Sequence, residues 1–315
     1  MESLKAALTY EQQIENLQSK HSLSIPDYNE ALTILKRINY YRLSGYGIGM
    51  TKPDDTEQYR EGVSIDTLYR LYSFDSSFRN AMIHVVEQIE IQLRTQIANY
   101  LSLKYGPECY TDASLFIAKT TKDGSDIHTN IINSFRQECI HQKNTPFVKH
   151  HNEKYDGHFP LWVAVELFTF GNLASLYDIM RPEDKKAVAD LYQTSPSHLS
   201  SWILSLVEIR NICAHYSRLY NMPLKQTPFL YSEFRKYRQS KINKVFPVLI
   251  VIKRMLNDNK LLWDSFLSNI SKLIESYNDV IVLSFIGFPE EWNSVLSSDS
   301  DQASKINKDT KIKTC

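Results

Sequence analysis

The sequence IDTLYRLYSFDSSFRNAMIHVVEQIEIQLRTQIANYLSLKY, residues 65–105, carries the strongest periodic pattern in the chain. Apolar residues recur there at intervals of three and four positions, namely Phe78, Met82, Val86, Ile89, Leu93, Ile97 and Leu101. This spacing places them on one face of an α-helix. Tyr105, Gly106 and Pro107 then form a helix stop signal. The stretch therefore predicts one long amphipathic helix.

The composition extends this prediction to the whole chain. Only 9 glycines and 11 prolines occur among 315 residues, and sandwiches, barrels and doubly wound sheets need more frequent tight turns. We therefore expect an all-α fold, a multi-helix bundle with additional helices at both termini. Further helices are expected at residues 9–21, 27–40, 130–141, 183–193, 198–216, 229–257 and 259–277. Ser197 is the expected N-cap of the helix at 198–216.

Other segments complete this prediction. A helix opens at Pro160, is interrupted at Gly171 and resumes to about Met180. Residues 52–62 and 119–130 are expected to be loops, and the glycines at 45, 47 and 49 predict a turn. The apolar runs 245–252 and 280–285 are too short to span a bilayer, so both are predicted to be buried helix. We divide the chain into N-terminal helices and a loop (1–62), a helical core (63–225), basic C-terminal helices (226–296) and a disordered tail (297–315).

Charge and cysteine usage restrict the functional classes. The formal net charge is zero, so any contact with nucleic acid must come from a local patch. The four cysteines form no CxxC pair, which fits a reducing compartment. No signal peptide is visible at the start of the sequence, and we expect a cytoplasmic protein that does not contact membranes.

The segment WILSLVEIRNICAH, residues 202–215, holds the candidate catalytic residues. Arg210 projects from a helical face that is otherwise apolar, where a guanidinium requires a carboxylate or a phosphate. Asn211 and His215 are four residues apart and share a helical edge. Arg210 and His215 point about 140° apart on a regular helix. A site that uses both residues therefore requires one of three arrangements. The Arg210 side chain bends round the helix, the last helical turn is distorted, or a second chain contributes residues to the site.

These residue types suit the cleavage of RNA. An imidazole can remove the proton of a 2′-hydroxyl or protonate the leaving oxygen, and an arginine can stabilise charge on the phosphate, so no metal or other cofactor is needed. The spacing alone is weak evidence, because Arg79 and His84 repeat it. On spacing alone, an arginine paired inside the core and a surface histidine are the better interpretation.

Two further sets leave alternatives open. Glu90 and Arg94 either form a simple ion pair one helical turn apart, or Glu87 or Glu90 holds Arg210 in place. His150, His151 and His158 fall in a polar stretch without a metal-ligand pattern, so we predict no metal site there.

A basic segment follows the candidate catalytic helix. Between residues 225 and 260, nine cationic residues stand against two acidic ones, and aromatic residues at 229, 231, 234 and 237 are interleaved. This pattern indicates either an RNA-binding surface or a solvated helix face with buried aromatics. The candidate RNA-binding residues are Lys225, Arg235, Lys236, Arg238, Lys241 and Lys244 in this segment, together with Tyr40, Tyr41 and Arg42.

Several blocks, taken in order over roughly residues 8–293, resemble the Abi-like family of phage abortive-infection proteins, of the AbiD/AbiF type. They are LTYEQQ (8–13), RINYYRLSGY (37–46), LYSFD (71–75), IEIQLR (89–94), PLW (160–162), RNICAH (210–215) and GFP (287–289). The family is placed among the HEPN proteins, whose Arg-x4–6-His motif marks metal-independent ribonucleases that usually act as dimers.

The resemblance implies a HEPN-like core with Arg210 and His215 as the catalytic pair and Asn211 assisting. It implies products with 2′,3′-cyclic phosphate ends, a homodimer, and a role in phage defence or a toxin–antitoxin system. It also implies association with RNA, either single-stranded or a structured small non-coding RNA. The alternative is a non-catalytic module that holds a small RNA and regulates or scaffolds a partner.

Overall fold

A computed structural model describes residues 4, 6–238 and 243–298. Within these ranges the fold is all-α, as predicted, and no strand is present. The α-helices are α1 (Tyr10–Ser19), α2 (Tyr28–Arg37), α3 (Tyr40–Ser44), α4 (Ile65–Tyr105), α5 (Ile127–His141), α6 (Pro146–Lys154), α7 (Leu161–Ala164), α8 (Phe170–Ile179), α9 (Pro182–Leu191), α10 (Pro196–Ala214), α11 (Phe246–Met255), α12 (Lys260–Ser276) and α13 (Trp292–Ser297). Short 3₁₀-helices occupy Gly45–Gly47, Cys109–Thr111, Ala113–Leu115, Val165–Leu167, Ser232–Tyr237 and Leu283–Ile286.

Helix α4 begins and ends where its sequence pattern predicts. The Ser64 side chain accepts a hydrogen bond from the Thr67 amide at its start, and Gly106 ends it with a φ of +101°. Its 41 residues give a length of about 60 Å. Every apolar residue of the predicted stripe is buried. Helix α4 is therefore the central element of the fold.

The other helices pack along α4. Helices α7, α10 and α12 make its largest contacts and enclose one continuous apolar core. A smaller core joins α1, α2 and α3 to the first turns of α4. None of the helices in the described ranges combines the length and apolar character that a membrane span requires.

Several predicted helix boundaries were wrong, because prolines and capping residues set the helix starts at other positions. Helix α10 starts at Pro196 and is capped by Ser195, whose hydroxyl accepts from the His198 amide, rather than by Ser197. The single helix expected at 229–257 is instead a 3₁₀-helix, Ser232–Tyr237, followed by α11. Pro247 has no amide hydrogen, so it fits only in the first turn of α11.

Other segments also differ from prediction. His150 and His151 lie in helix α6, which Pro146 opens, rather than in a polar loop. The helix expected from Pro160 breaks at Phe168, before Gly171, and Thr169 caps α8. Helix α5 starts at Ile127 under an Asp126 cap. The run 280–285 forms a turn and part of a 3₁₀-helix, not a buried α-helix. Most of the predicted tail, residues 299–315, lies outside the described residues.

Candidate active site

Helix α10 packs its apolar face against α4 and α8, as its sequence predicts. Leu199, Trp202, Ile203, Leu206 and Cys213 are buried on that face. Arg210 lies at the edge of this face, and its side chain retains 36% of its accessible surface. The guanidinium is thus within reach of solvent, in a position that an apolar pattern alone would assign to the core.

A buried carboxylate holds Arg210 in place. Oε2 of Glu90 lies 3.6 Å from Nε of Arg210, and Oε1 of the same residue accepts a hydrogen bond of 2.5 Å from Arg94. Arg94 also donates to the Phe168 carbonyl at 2.8 Å and lies 3.9 Å from Glu166. Both alternatives for Glu90 are therefore realised at once, since it pairs with Arg94 on its own helix and with Arg210 on α10.

The contact with Glu90 leaves the donors of Arg210 available. Its 3.6 Å separation exceeds hydrogen-bond length, and Arg210 makes no hydrogen bond to any residue that the structure describes. Glu87, the other acidic candidate, is exposed on α4 and is not joined to Arg210 by any ion pair among the described residues. The result is a positioned guanidinium with unused donors, which is what binding a phosphate requires.

The helix stays regular up to the end of the motif. The His215 amide donates to the Asn211 carbonyl at 3.0 Å, as in an ordinary α-helix. The chain then closes with a Schellman motif, in which Tyr216 donates to Cys213 and Ser217 to Ile212. Distortion of the last turn is therefore ruled out as a way to bring Arg210 and His215 together.

The C-terminal end of α10 presents polar and aromatic groups to solvent. Asn211 and His215 are both exposed on one edge of the helix. Tyr216 is 71% exposed and adopts a left-handed φ of +55°, where glycine is the usual residue. Arg42 of α3 donates to the Tyr216 carbonyl at 2.5 Å, and its neighbour Tyr41 is 85% exposed. The structure thus brings Tyr41 and Arg42 to the helix end that carries His215.

Tyr40 differs from its two neighbours. It is half-buried against the smaller N-terminal core, and burial raises the pKa of its hydroxyl. Its environment is that of a packing residue more than of an exposed contact.

A buried polar cluster, missed by sequence reasoning, holds the segment after the motif. Asp75 of α4 accepts hydrogen bonds from the amides of Leu219 and Tyr220, from the Tyr46 hydroxyl at 2.7 Å and from Arg79. Burial raises the pKa of Asp75, and Arg79, Tyr46 and the two amides oppose that rise. The signal was an aspartate and an arginine four residues apart within an apolar stripe.

The family of the chain follows from a family model. The model for the Abi-like protein family matches residues 33–221, which include Arg42, Asp75, Glu90, Arg210 and His215. That range is 189 of the 315 residues (221 − 33 + 1), more than half of the chain. The chain belongs to the Abi-like family. This membership suggests a role in abortive-infection defence against phage. Neither a curated protein nor a solved structure matched the chain.

Lys225 lies beside α10 in this Abi-like protein. The amides of Lys225 and Gln226 donate to the carboxylate of Glu208, at 2.7 and 2.6 Å. Glu208 is less than one turn before Asn211, so the exposed Lys225 is near the candidate catalytic edge.

The other described basic residues of this segment lie away from the candidate catalytic edge of α10. Arg238 covers the Phe229 ring at 5.1 Å, and Lys236 pairs with Glu291 at 3.1 Å and covers the Tyr237 ring. Arg235 is exposed, Lys244 is half-buried with a pKa lowered by burial, and Lys241 lies outside the described residues. The rings of Phe229 and Tyr237 are therefore already in contact with cationic side chains.

The basic segment meets the opposite end of α10. Tyr231 stacks on His198, in the first turn of α10, at 4.6 Å, and Arg254 covers the same tyrosine. Burial first, and then the charges of Arg254 and Arg235, lower the pKa of His198. His215 lies 17 positions after His198, about 25 Å along the helix. In the described part of the chain, no group of three or more histidine, cysteine, aspartate or glutamate side chains is arranged to hold a metal ion.

Proposed function

We propose that this Abi-like protein is a metal-independent endoribonuclease of the HEPN type, acting in phage defence or a toxin–antitoxin system with a small non-coding RNA. The observation that carries the proposal is Arg210. Glu90 holds its guanidinium at the surface, yet it makes no hydrogen bond to any described residue. Such a group can bind a phosphate at two points without first breaking internal hydrogen bonds.

The roles follow from the chemistry of each group. Arg210 binds the scissile phosphate and stabilises the charge that develops there. His215 acts as the general acid or base, because an imidazole can exchange protons near neutral pH. Asn211, one turn before His215 on the same edge, orients the imidazole or the RNA. Attack by the 2′-hydroxyl then leaves a 2′,3′-cyclic phosphate and a free 5′-hydroxyl.

We further propose that the complete site forms between two copies of the chain. The regular α10 helix keeps Arg210 and His215 about 140° apart, so one chain does not present both to the same phosphate without rearranging Arg210. The exposed edge of α10, with Leu204, Asn211 and His215, is available for contact with a second copy. In such a dimer, Arg210 of one protomer faces His215 of its partner.

The first experiment measures cleavage of single-stranded RNA by the purified protein in EDTA, beside His215→Ala. We expect cleavage with 2′,3′-cyclic phosphate ends by the wild type and none by the variant. The matched control is His84→Ala, an exposed histidine on α4 with the same spacing from an arginine. Equal cleavage by the wild type and His215→Ala would refute the assignment.

A mixing experiment tests the composite site. Arg210→Ala and His215→Ala are each expected to be inactive. A mixed dimer has one site in which an intact Arg210 faces an intact His215, so mixing the two variants restores part of the activity. No recovery, when subunit exchange is verified independently, contradicts a site shared between protomers.

The exposure of His215, with no side-chain partner among the described residues, favours one alternative function. In that alternative the protein holds a small RNA without cutting it, and Arg210 only grips phosphate. Tight, salt-sensitive RNA binding by the wild type and His215→Ala alike, with no cleavage by either, would establish it.

A further inference from the structure

A cleft of about 440 Å³ opens between the end of α4, helix α6 and the start of α7. Its size lies in the range of small-molecule sites. Aromatic and histidine side chains line it, together with one carboxylate. None of these residues belongs to the proposed catalytic set.

Trp162 forms one wall of the cleft. It lies in α7 between the buried residues Leu161 and Val165, and the Leu161 amide donates to the Pro107 carbonyl at 2.7 Å. The backbone under the indole is thus fixed, yet Trp162 is 55% exposed. An anchored indole open to solvent is a suitable surface for stacking a flat ring.

A cluster of rings also lines the cleft. His151 stacks on the buried Phe159 at 4.9 Å and contacts the rings of His150 and Tyr155 at 5.6 and 5.1 Å. Its Nδ1 also lies 3.0 Å from the His158 carbonyl. These contacts fix the wall before any ligand arrives, which lowers the entropic cost of binding.

The polar edge of the cleft fits a neutral heterocycle. Oε1 of Glu108 lies 2.9 Å from Nδ1 of His158. A carboxylate accepts hydrogen bonds, so Nδ1 carries the proton and Nε2 remains for a ligand. Glu108 repels an anion, and these side chains are not arranged to hold a metal ion within the described structure. Hydrogen-bonding groups beside an open indole match the edge and face of a nucleobase.

A series of side-chain contacts connects the neighbourhood of Trp162 to Arg210. Trp162 and Glu166 are four residues apart and both exposed, and Glu166 lies 3.9 Å from Arg94, which shares Glu90 with Arg210. Gly106, which directly follows α4, lies 16 positions after Glu90, a rise of about 24 Å. An extended RNA strand of a few nucleotides can cover this distance.

We propose that this cleft binds one unpaired nucleobase of the RNA strand whose phosphate Arg210 holds. The base stacks on Trp162, and its polar edge meets Glu108 and His158. This inference rests on the proposed function for its ligand, but the pocket is tested independently of cleavage.

The first test measures tryptophan fluorescence of the full chain during titration with adenosine, guanosine, cytidine and uridine, with ribose as the ring-free control. We expect saturable quenching by at least one nucleoside and none by ribose. Quenching should vanish in Trp162→Phe, and it should persist in Trp292→Phe, which keeps Trp162. Quenching that is absent for all four nucleosides, or unchanged in Trp162→Phe, overturns the proposal.

The second test measures binding of single-stranded RNA. Trp162→Ala should raise the half-saturating RNA concentration by about 5- to 150-fold, the range expected for one lost stacking contact. Leu261→Ala, which removes another exposed apolar side chain, should leave it unchanged. RNA binding that is identical in Trp162→Ala and the wild type also overturns the proposal.

The two proposals fail in different ways. Nucleoside quenching at Trp162 without RNA cleavage would retain the pocket and reject the ribonuclease. Cleavage that depends on His215, without quenching at Trp162, would retain the ribonuclease and reject the pocket.

Discussion

Arg79 and Arg210 each precede a histidine by five positions, yet the fold uses them in opposite ways. Arg79 is 4% exposed and bonds to Asp75 and Tyr46 inside the core. Its histidine, His84, is exposed on another side of α4. The Arg210 side chain is 36% exposed, and among the described residues its only ion pair is the 3.6 Å contact with Glu90.

The difference teaches that the surroundings of the guanidinium, not its spacing to a histidine, separate a packing arginine from a candidate catalytic one. Asp75 is buried and accepts hydrogen bonds from the backbone amides of Leu219 and Tyr220, and so it fixes the segment that follows the motif. Glu90 also holds an arginine, but the donors of Arg210 remain unused by the described residues. Variants of Asp75, Glu90 and Arg210 test this contrast through their effects on stability and on RNA cleavage.

Asp75→Asn should destabilise the fold by about 3–5 kcal/mol, because it leaves the Arg79 charge buried without its partner. Urea unfolding measures the change. Asp279→Asn is the matched control, since it breaks an exposed pair with Arg70 that should contribute only about 0–1 kcal/mol. Similar losses of unfolding free energy in both variants would show that the buried hydrogen bonds of Asp75 do not stabilise the fold more than an exposed ion pair does.

Glu90→Gln should lower the free energy of unfolding by about 1–3 kcal/mol, because it weakens charged contacts with Arg94 and Arg210. It should also slow RNA cleavage, since Arg210 loses its anchor. Glu87→Gln, three residues earlier and exposed, should change neither quantity. If Glu90→Gln cleaves at the wild-type rate, Glu90 does not position Arg210.

Sequence reasoning predicted the framework more fully than the site. The bounds of α4 match the prediction, because the apolar spacing and the stop signal at Gly106 are both local features of this stretch. The helix expected at 229–257 does not form as one unit, because Pro247 fits only in the first turn of a helix and therefore sets the start of α11. The pairing of Glu90 with Arg210 joins residues 120 positions apart, so no local pattern could select Glu90 over Glu87.

Tyr216→Gly should stabilise the fold by about 1 kcal/mol, because glycine adopts the left-handed conformation without steric cost. Thermal or urea unfolding checks the gain. Asn221→Gly, also at positive φ, should gain less because asparagine tolerates that conformation better. A loss of stability in Tyr216→Gly would mean that the exposed ring makes stabilising contacts.

His198 should make stability depend on pH at the other end of α10. Folding lowers its pKa below the ordinary value of 6.5, so the unfolded chain binds the proton first as pH falls. Stability is therefore lost as pH drops through about 6.5, and the loss levels off below the folded pKa. His198→Gln should lose less stability over this window in parallel urea titrations. Identical pH profiles would show that His198 is not the responsible group.

The most direct test measures RNA cleavage and unfolding of Arg210→Ala side by side. Arg210 should contribute less than about 1 kcal/mol to stability, since its ion pair is partly exposed and long. Its loss should slow cleavage by about 10²–10³-fold, the effect of removing one group that stabilises transition-state charge. A wild-type cleavage rate in Arg210→Ala, or a stability loss as large as that of Asp75→Asn, would contradict the distinction between the two arginines.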